Sequence, residues 1–125
     1  EHDNGVYRGK CTDVVFGNGI VYGGNLHFVE QVNVKDGIGC LRVLFPKRGF
    51  GRLKMMLNAI HSNFAKLDAI SEVSMTQKVC IRRADGAEIA VNQDGEIVRG
   101  VREWTVEIVP NALPFVIPKG VMLHE

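Results

Sequence analysis

Residues 41–67 read LRVLFPKRGFGRLKMMLNAIHSNFAKL and contain the point at which the hydrophobic periodicity of the chain changes. Residues 41–45 are apolar apart from Arg42, which is typical of a central strand that is buried on both faces. From Leu53 onward the apolar residues fall on one side of a helical wheel, within about 100° of arc. We therefore predict a strand, a glycine-bearing loop and then an amphipathic helix that ends near Asp68.

Much of the remaining chain shows a period of two, which is typical of antiparallel strands that cover a core with one face. The alternation is clear at Trp104, Val106 and Ile108, which are separated by Thr and Glu residues. It also runs through residues 26–34 and 72–83. In the second of these segments we expect the following residues to face inward: Val73, Met75, Val79 and Ile81. Asn-Gly and Asp-Gly pairs, which supply the positive φ of tight hairpins, recur between such segments. The prediction is an α+β fold, a mainly antiparallel β-sheet of about six to eight strands with one amphipathic helix packed across it.

The length of 125 residues corresponds to one domain, so we assign residues 1–125 to a single α+β domain. Within it, residues 109–125 contain three prolines, which cannot donate hydrogen bonds within a sheet. We expect an extended edge strand or a C-terminal arm there, and its apolar residues offer a route to a homo-oligomer. No apolar run reaches the roughly 18 residues of a membrane helix, so no membrane span is expected.

The three cysteines, Cys11, Cys40 and Cys80, show no CxxC spacing, which argues against a zinc ribbon or a redox dithiol. Thiols without a clear pairing favour the cytoplasm over an oxidising compartment. The chain does not begin with Met, which fits either a removed leader or a start inside a longer gene product, so an exported form stays open. The histidines show no metal-ligand spacing, and we expect neither a metal nor a cofactor.

The net charge of +1 hides a segregation of charge along the chain. Residues 37–67 contain six Lys or Arg residues and no Asp or Glu, whereas both flanking segments are net acidic. The cations are densest in the glycine-bearing loop, and a helix N-terminus attracts anions through its free N–H groups and its dipole. The candidate residues for binding a ligand or partner are Lys47, Arg48, Phe50, Arg52, Lys54 and Met55. Met55 enters this set because it lies opposite the apolar stripe, on the face that we predict to be exposed.

We interpret the chain as a non-catalytic binding domain that recognises a protein partner or an anionic ligand through the basic loop and the helix N-terminus. The alternative is a nucleic-acid-binding protein, in which Phe50 stacks on a base beside the same cations. A third hypothesis is a small enzyme, with an acid–base site near Glu30 or His61 and with Cys40 as a candidate thiol. No motif singles out a catalytic residue, so the sequence leaves enzymatic activity undecided and favours a non-catalytic function.

Three polar residues fall on strand faces that we predict to point inward: Glu30, Gln77 and Arg102. A buried carboxylate is costly unless it is paired, and Arg102 is the matching cation for Glu30 if their strands are close. A bulge or a strand end would instead turn each side chain outward into water. These two readings predict opposite burial for the same residues.

Overall fold

The computed structural model describes residues 1–19, 36–45, 49–61 and 71–112 of the chain. In order, these ranges form β1 (Asp13–Gly17), β2 (Gly39–Leu44), α1 (Phe50–Ile60), β3 (Ser71–Thr76), β4 (Lys78–Arg82), β5 (Ile89–Gln93), β6 (Glu96–Val101) and β7 (Glu103–Glu107). All strand pairs among them are antiparallel, which confirms a mainly antiparallel protein with little helix. The strand predicted at residues 26–34 and the arm beyond residue 112 lie outside the described residues.

β2 is the central strand of a three-stranded sheet in the order β1–β2–β3, and all six of its residues are buried. The central strand that we predicted at residues 41–45 is therefore confirmed. On one face of β2, Leu41 and Val43 form a buried core with Val79 of β4. Partly buried side chains pack against this core, namely Tyr7, Val14, Phe16 and Ile81.

Arg42 is a charged residue inside this central strand, and it is only 3% exposed. Its Nη1 atom donates a hydrogen bond of 2.6 Å to the hydroxyl oxygen of Ser71, a buried residue at the start of β3. A buried guanidinium is tolerated when acceptors replace its water. Ser71 supplies one such acceptor for the five N–H donors of the guanidinium.

The segment of residues 72–83, which we predicted as one strand, is divided at Gln77 into β3 and β4. β3 pairs with β2, whereas β4 pairs with β7 in a separate two-stranded sheet. In β3 our prediction was wrong, because Val73 and Met75, which we expected to face inward, are exposed. Val79, in the second half, is buried in the core as predicted.

The Asp3 carboxylate stabilises the bend between β3 and β4. Its Oδ2 atom accepts hydrogen bonds from the Thr76 hydroxyl at 2.8 Å and from the backbone N–H groups of Gln77 at 2.8 Å and Lys78 at 2.9 Å. These three bonds satisfy donors at the point where the sheet pairing changes. The same N-terminal segment pairs with β4, because the Cys80 N–H donates to the Glu1 carbonyl at 2.8 Å.

β5 and β6 form a hairpin whose two-residue turn is Asp94-Gly95. The φ angles of these residues are 49° and 97°, the positive values that such a turn requires. The predicted Asp-Gly turn is therefore confirmed. In β7 the predicted alternation is also confirmed, since Trp104 and Val106 are half-buried and the residues between and beside them are exposed.

α1 confirms the predicted helix for residues 50–60, but the face that it turns toward the protein is the opposite of the one we predicted. Met55, which we placed on the exposed face, is 6% exposed, and this placement was wrong. Gly51 and Asn58, which lie on the same side of the helix, are half-buried. Periodicity identifies residues that share a face, but it does not specify which face turns inward.

The packing of α1 across the sheet is not confirmed, because the extensive contacts between described elements are all between strands. The predicted continuation of the helix, residues 62–67, lies outside the described residues. No helix in the described ranges has the length and the apolar character needed to cross a membrane.

Candidate functional site

The outward face of α1 carries a row of large apolar side chains, which we name the outer stripe: Phe50, Leu53, Leu57 and Ile60. Their exposed fractions are 89%, 54%, 46% and 38% in that order. At 100° per residue the four positions lie within about 80° of arc, so they form one continuous surface. An apolar helix stripe normally faces the core, and a contiguous exposed patch is typical of an interaction surface.

α1 contributes no acidic side chain next to the outer stripe. Lys54 is exposed beside Leu53, and the first turn of α1 contains no acidic residue that would oppose the positive end of the helix dipole. The acid-free segment of residues 37–67 extends on both sides of α1 in the sequence. This surface therefore combines apolar contact area with a preference for anionic neighbours.

The structure divides the six predicted binding residues into three groups. Phe50 and Lys54 are exposed on α1, one helical turn apart. Met55 is buried, so it cannot contact a partner without a rearrangement of the helix. The remaining three, Lys47, Arg48 and the side chain of Arg52, lie outside the described residues.

Three residues of the outer stripe, Leu53, Leu57 and Ile60, were assigned to the core by our reading of the sequence. Their spacing is the same whether the stripe faces the core or the solvent, so periodicity could not reveal their exposure. The absence of acids from residues 37–67 draws attention to this helix, but it does not distinguish one face of the helix from the other.

The residues proposed for an enzyme site occupy different environments. Cys40 is buried in β2. His61 lies just beyond the apolar stripe on the helical wheel, which predicts a half-buried side chain, but the structure shows it exposed just after α1. Glu30 lies outside the described residues. In the described ranges, no group of three or more His, Cys, Asp and Glu residues is arranged to hold a metal ion.

Gln77 and Arg102, which we predicted on inward faces, are both exposed. Gln77 lies between β3 and β4, and Arg102 lies between β6 and β7. The strand-end interpretation is therefore correct for both residues, and the inward interpretation is wrong. A strand end leaves the alternation, so its side chain can turn to the solvent.

No protein-family model matches this chain, and a search among curated proteins finds no match either.

Proposed function

We propose that this chain is a non-catalytic binding module that docks an acidic, amphipathic helical segment of another protein on the outer stripe of α1. The observation that carries this proposal is the exposure of four large apolar residues in one row: Phe50, Leu53, Leu57 and Ile60. Partner helices are recognised through anchors at such spacings, because residues three, four and seven positions apart share one face.

The apolar part of the interaction supplies the affinity. Full burial of a side chain such as Phe or Leu contributes about 1.5–3 kcal/mol. Phe50 has the most surface left to bury, since 89% of it is exposed, and aromatic anchors dominate many interfaces. Leu57 lies near the middle of the outer stripe, so a partner helix that covers the stripe must cover Leu57.

The charge around the outer stripe selects the partner. Lys54 is exposed, and residues 37–67 contain no acid, so acidic residues flanking the partner's apolar face would meet cations and no repulsion. Such complementarity raises the association rate and discriminates between partners, and salt screens it. A basic amphipathic helix would offer the same apolar contacts but the wrong charge.

The experiment uses two labelled helical peptides with the same leucine face, one flanked by glutamates and the other by lysines, in fluorescence anisotropy titrations. We expect the acidic peptide to bind and the basic peptide to bind far more weakly. Phe50→Ala and Leu57→Ala should each weaken binding by about tenfold. The matched control is Ile97→Ala on β6, which removes an apolar side chain whose 63% exposure lies between those of Phe50 and Leu57, and it should leave binding unchanged.

Two results would contradict the proposal. The first is equal binding of both peptides, because the charge around the outer stripe would then select nothing. The second is an equal loss of affinity in the Ile97→Ala control, because the peptide would then be binding to exposed apolar surface in general.

Single-stranded nucleic acid is the second candidate ligand, and the near-complete exposure of Phe50 one turn from Lys54 favours it. An exposed aromatic ring beside cations can stack on a base while the cations contact phosphates. A labelled oligonucleotide should then bind with an affinity that falls steeply with added salt, and Phe50→Ala should weaken it. Leu57→Ala separates the two candidates, because it should weaken the peptide complex and leave the oligonucleotide complex unchanged.

A further inference from the structure

A groove of about 620 Å³ opens beside β4, next to the N-terminal residues. Five of its apolar lining residues lie on strands: Val14, Leu41, Val43, Val79 and Ile81. Because three of them form the buried core, the groove gives access to the edge of the core. Small-molecule sites are typically concave, mostly apolar and about 300–1,000 Å³ in volume, and this groove falls within that range.

The rim of the groove is cationic. Arg8, Arg82 and Arg83 line it, and Glu1 is the one acidic residue among the lining residues that the structure describes. Arg82 is bound to Glu1 at 2.7 Å, and Arg83 is bound to Asp85 at 2.6 Å. Within the described ranges Arg8 makes no ion pair and no side-chain hydrogen bond, so its guanidinium is available to an anion.

Tyr7 forms a fixed wall of the groove next to Arg8. Its ring stacks on Phe45 with centroids 6.1 Å apart, and its hydroxyl donates a hydrogen bond of 3.2 Å to the carbonyl of Lys10. Gly9 allows this arrangement, because a Cβ atom at that position would lie 2.7 Å from the tyrosine oxygen. The wall is therefore formed before any ligand arrives, which lowers the entropic cost of binding.

His2 adds a further polar group to the same lining. Its Nδ1 atom is buried and has no hydrogen-bond partner in the described part of the chain. A buried polar atom that lacks a partner is unfavourable, and a ligand oxygen is one group that can satisfy an imidazole N–H.

We propose that this groove binds a small amphipathic anion, a carboxylate or sulfonate attached to an apolar chain or ring. The apolar part lies against Val14, Val43 and Val79, and the anionic group pairs with Arg8. An arginine binds a carboxylate through two parallel hydrogen bonds, which fixes the orientation of the ligand. A neutral apolar ligand would cover Arg8 without giving it a partner, so the rim discriminates against it.

The experiment compares dodecanoate with dodecanol, which has the same chain and no charge, and follows alkylation of Cys11 by mass spectrometry. Cys11 lines the groove and is accessible to a reagent, so a bound ligand should shield its thiol. Partial desolvation of the sulfur and the nearby Asp13 raise the pKa of this thiol. Dodecanoate should slow the alkylation of Cys11 several-fold, and dodecanol should do so much less. Calorimetric titration of dodecanoate gives the affinity directly.

Arg8→Gln should weaken dodecanoate binding by about tenfold and abolish its advantage over dodecanol. Arg99→Gln, which removes an exposed arginine from β6, is the matched control and should bind dodecanoate as the wild type does. Wild-type affinity in Arg8→Gln, equal protection by dodecanol, or protection by the acidic helical peptide alone would each overturn the proposal. Because Arg8 is not part of the outer stripe, Arg8→Gln should leave peptide binding to α1 unchanged, so the two proposals fail independently.

Discussion

Asp3 is a single carboxylate on which the junction of two sheets depends. Hydrogen bonds from the Thr76 hydroxyl and from the backbone N–H groups of Lys78 and Gln77 lower the pKa of the Asp3 carboxyl below its usual value of 3.8. The ionised form is therefore favoured in the folded protein relative to the unfolded chain. Its contribution to stability is fully present above the unfolded pKa and is lost as the pH falls through the lower folded value.

We predict that Asp3→Asn lowers the melting temperature by several degrees at neutral pH, because the amide cannot accept all three hydrogen bonds as a carboxylate does. The difference from the wild type should narrow as the pH falls below about 3.8, where protonation removes the same acceptor from the wild type. Asp94→Asn is the control, since asparagine tolerates the positive φ at that turn. A difference between Asp3→Asn and wild type that is independent of pH would contradict this account.

The hydrogen bonds of Asp3 to residues 76–78 could not be predicted from the sequence, and the reason is physical. The N-terminal residues read as a polar end, and their contact with residues 76–78 depends on a bend that period-two patterns do not record. The alternation across residues 72–83 predicted one continuous strand, and the division at Gln77 appears once Asp3 supplies acceptors there. Local patterns predict what a segment forms, but a contact between distant segments decides where it ends.

At the scale of elements, β2, β7 and α1 were predictable because each has a distinct hydrophobic period. The orientation of α1 was not predictable, because a helix that is apolar on one stripe and has Gly51, Met55 and Asn58 on another can turn either face inward. The candidate site follows from that orientation. Reading the sequence placed Phe50 and Lys54 correctly on the surface, but it assigned Leu53, Leu57 and Ile60 to the core.

This orientation of α1 makes a prediction about stability. Met55→Ala should lower the free energy of unfolding by about 2–5 kcal/mol, because it removes a buried side chain and leaves a cavity. Leu57→Ala should change the free energy of unfolding by about 0.5 kcal/mol or less, because Leu57 is exposed and alanine favours helix. Urea denaturation of both variants, followed by circular dichroism, measures the difference. A larger loss in Leu57→Ala than in Met55→Ala would mean that the helix faces the other way.

At the scale of the whole molecule, stability and proposed recognition depend on different side chains, and α1 contributes to both, through buried Met55 and through the exposed outer stripe. The buried core joins β2 and β4, and it includes none of the residues of the outer stripe. The cations of residues 37–67 give that segment a charge of +6 in a chain whose net charge is +1. Apart from Arg42 in β2, they lie at residues 47–66, in the segment that contains α1.

This separation predicts that the charge of the binding surface can be reversed, and its affinity for an acidic peptide lowered, without unfolding the protein. Lys47→Glu combined with Arg48→Glu should weaken binding of the acidic helical peptide and flatten its salt dependence, because both changes introduce acids close in sequence to α1, and these acids repel a ligand that carries acids. The melting temperature should stay nearly unchanged, as is usual for substitutions away from the core. Arg99→Glu combined with Arg102→Glu is the matched control, since it makes the same charge change at two exposed arginines, one in β6 and one between β6 and β7. If the control weakens peptide binding equally, net charge selects the partner; if the loop variant binds as the wild type does, the loop takes no part in recognition.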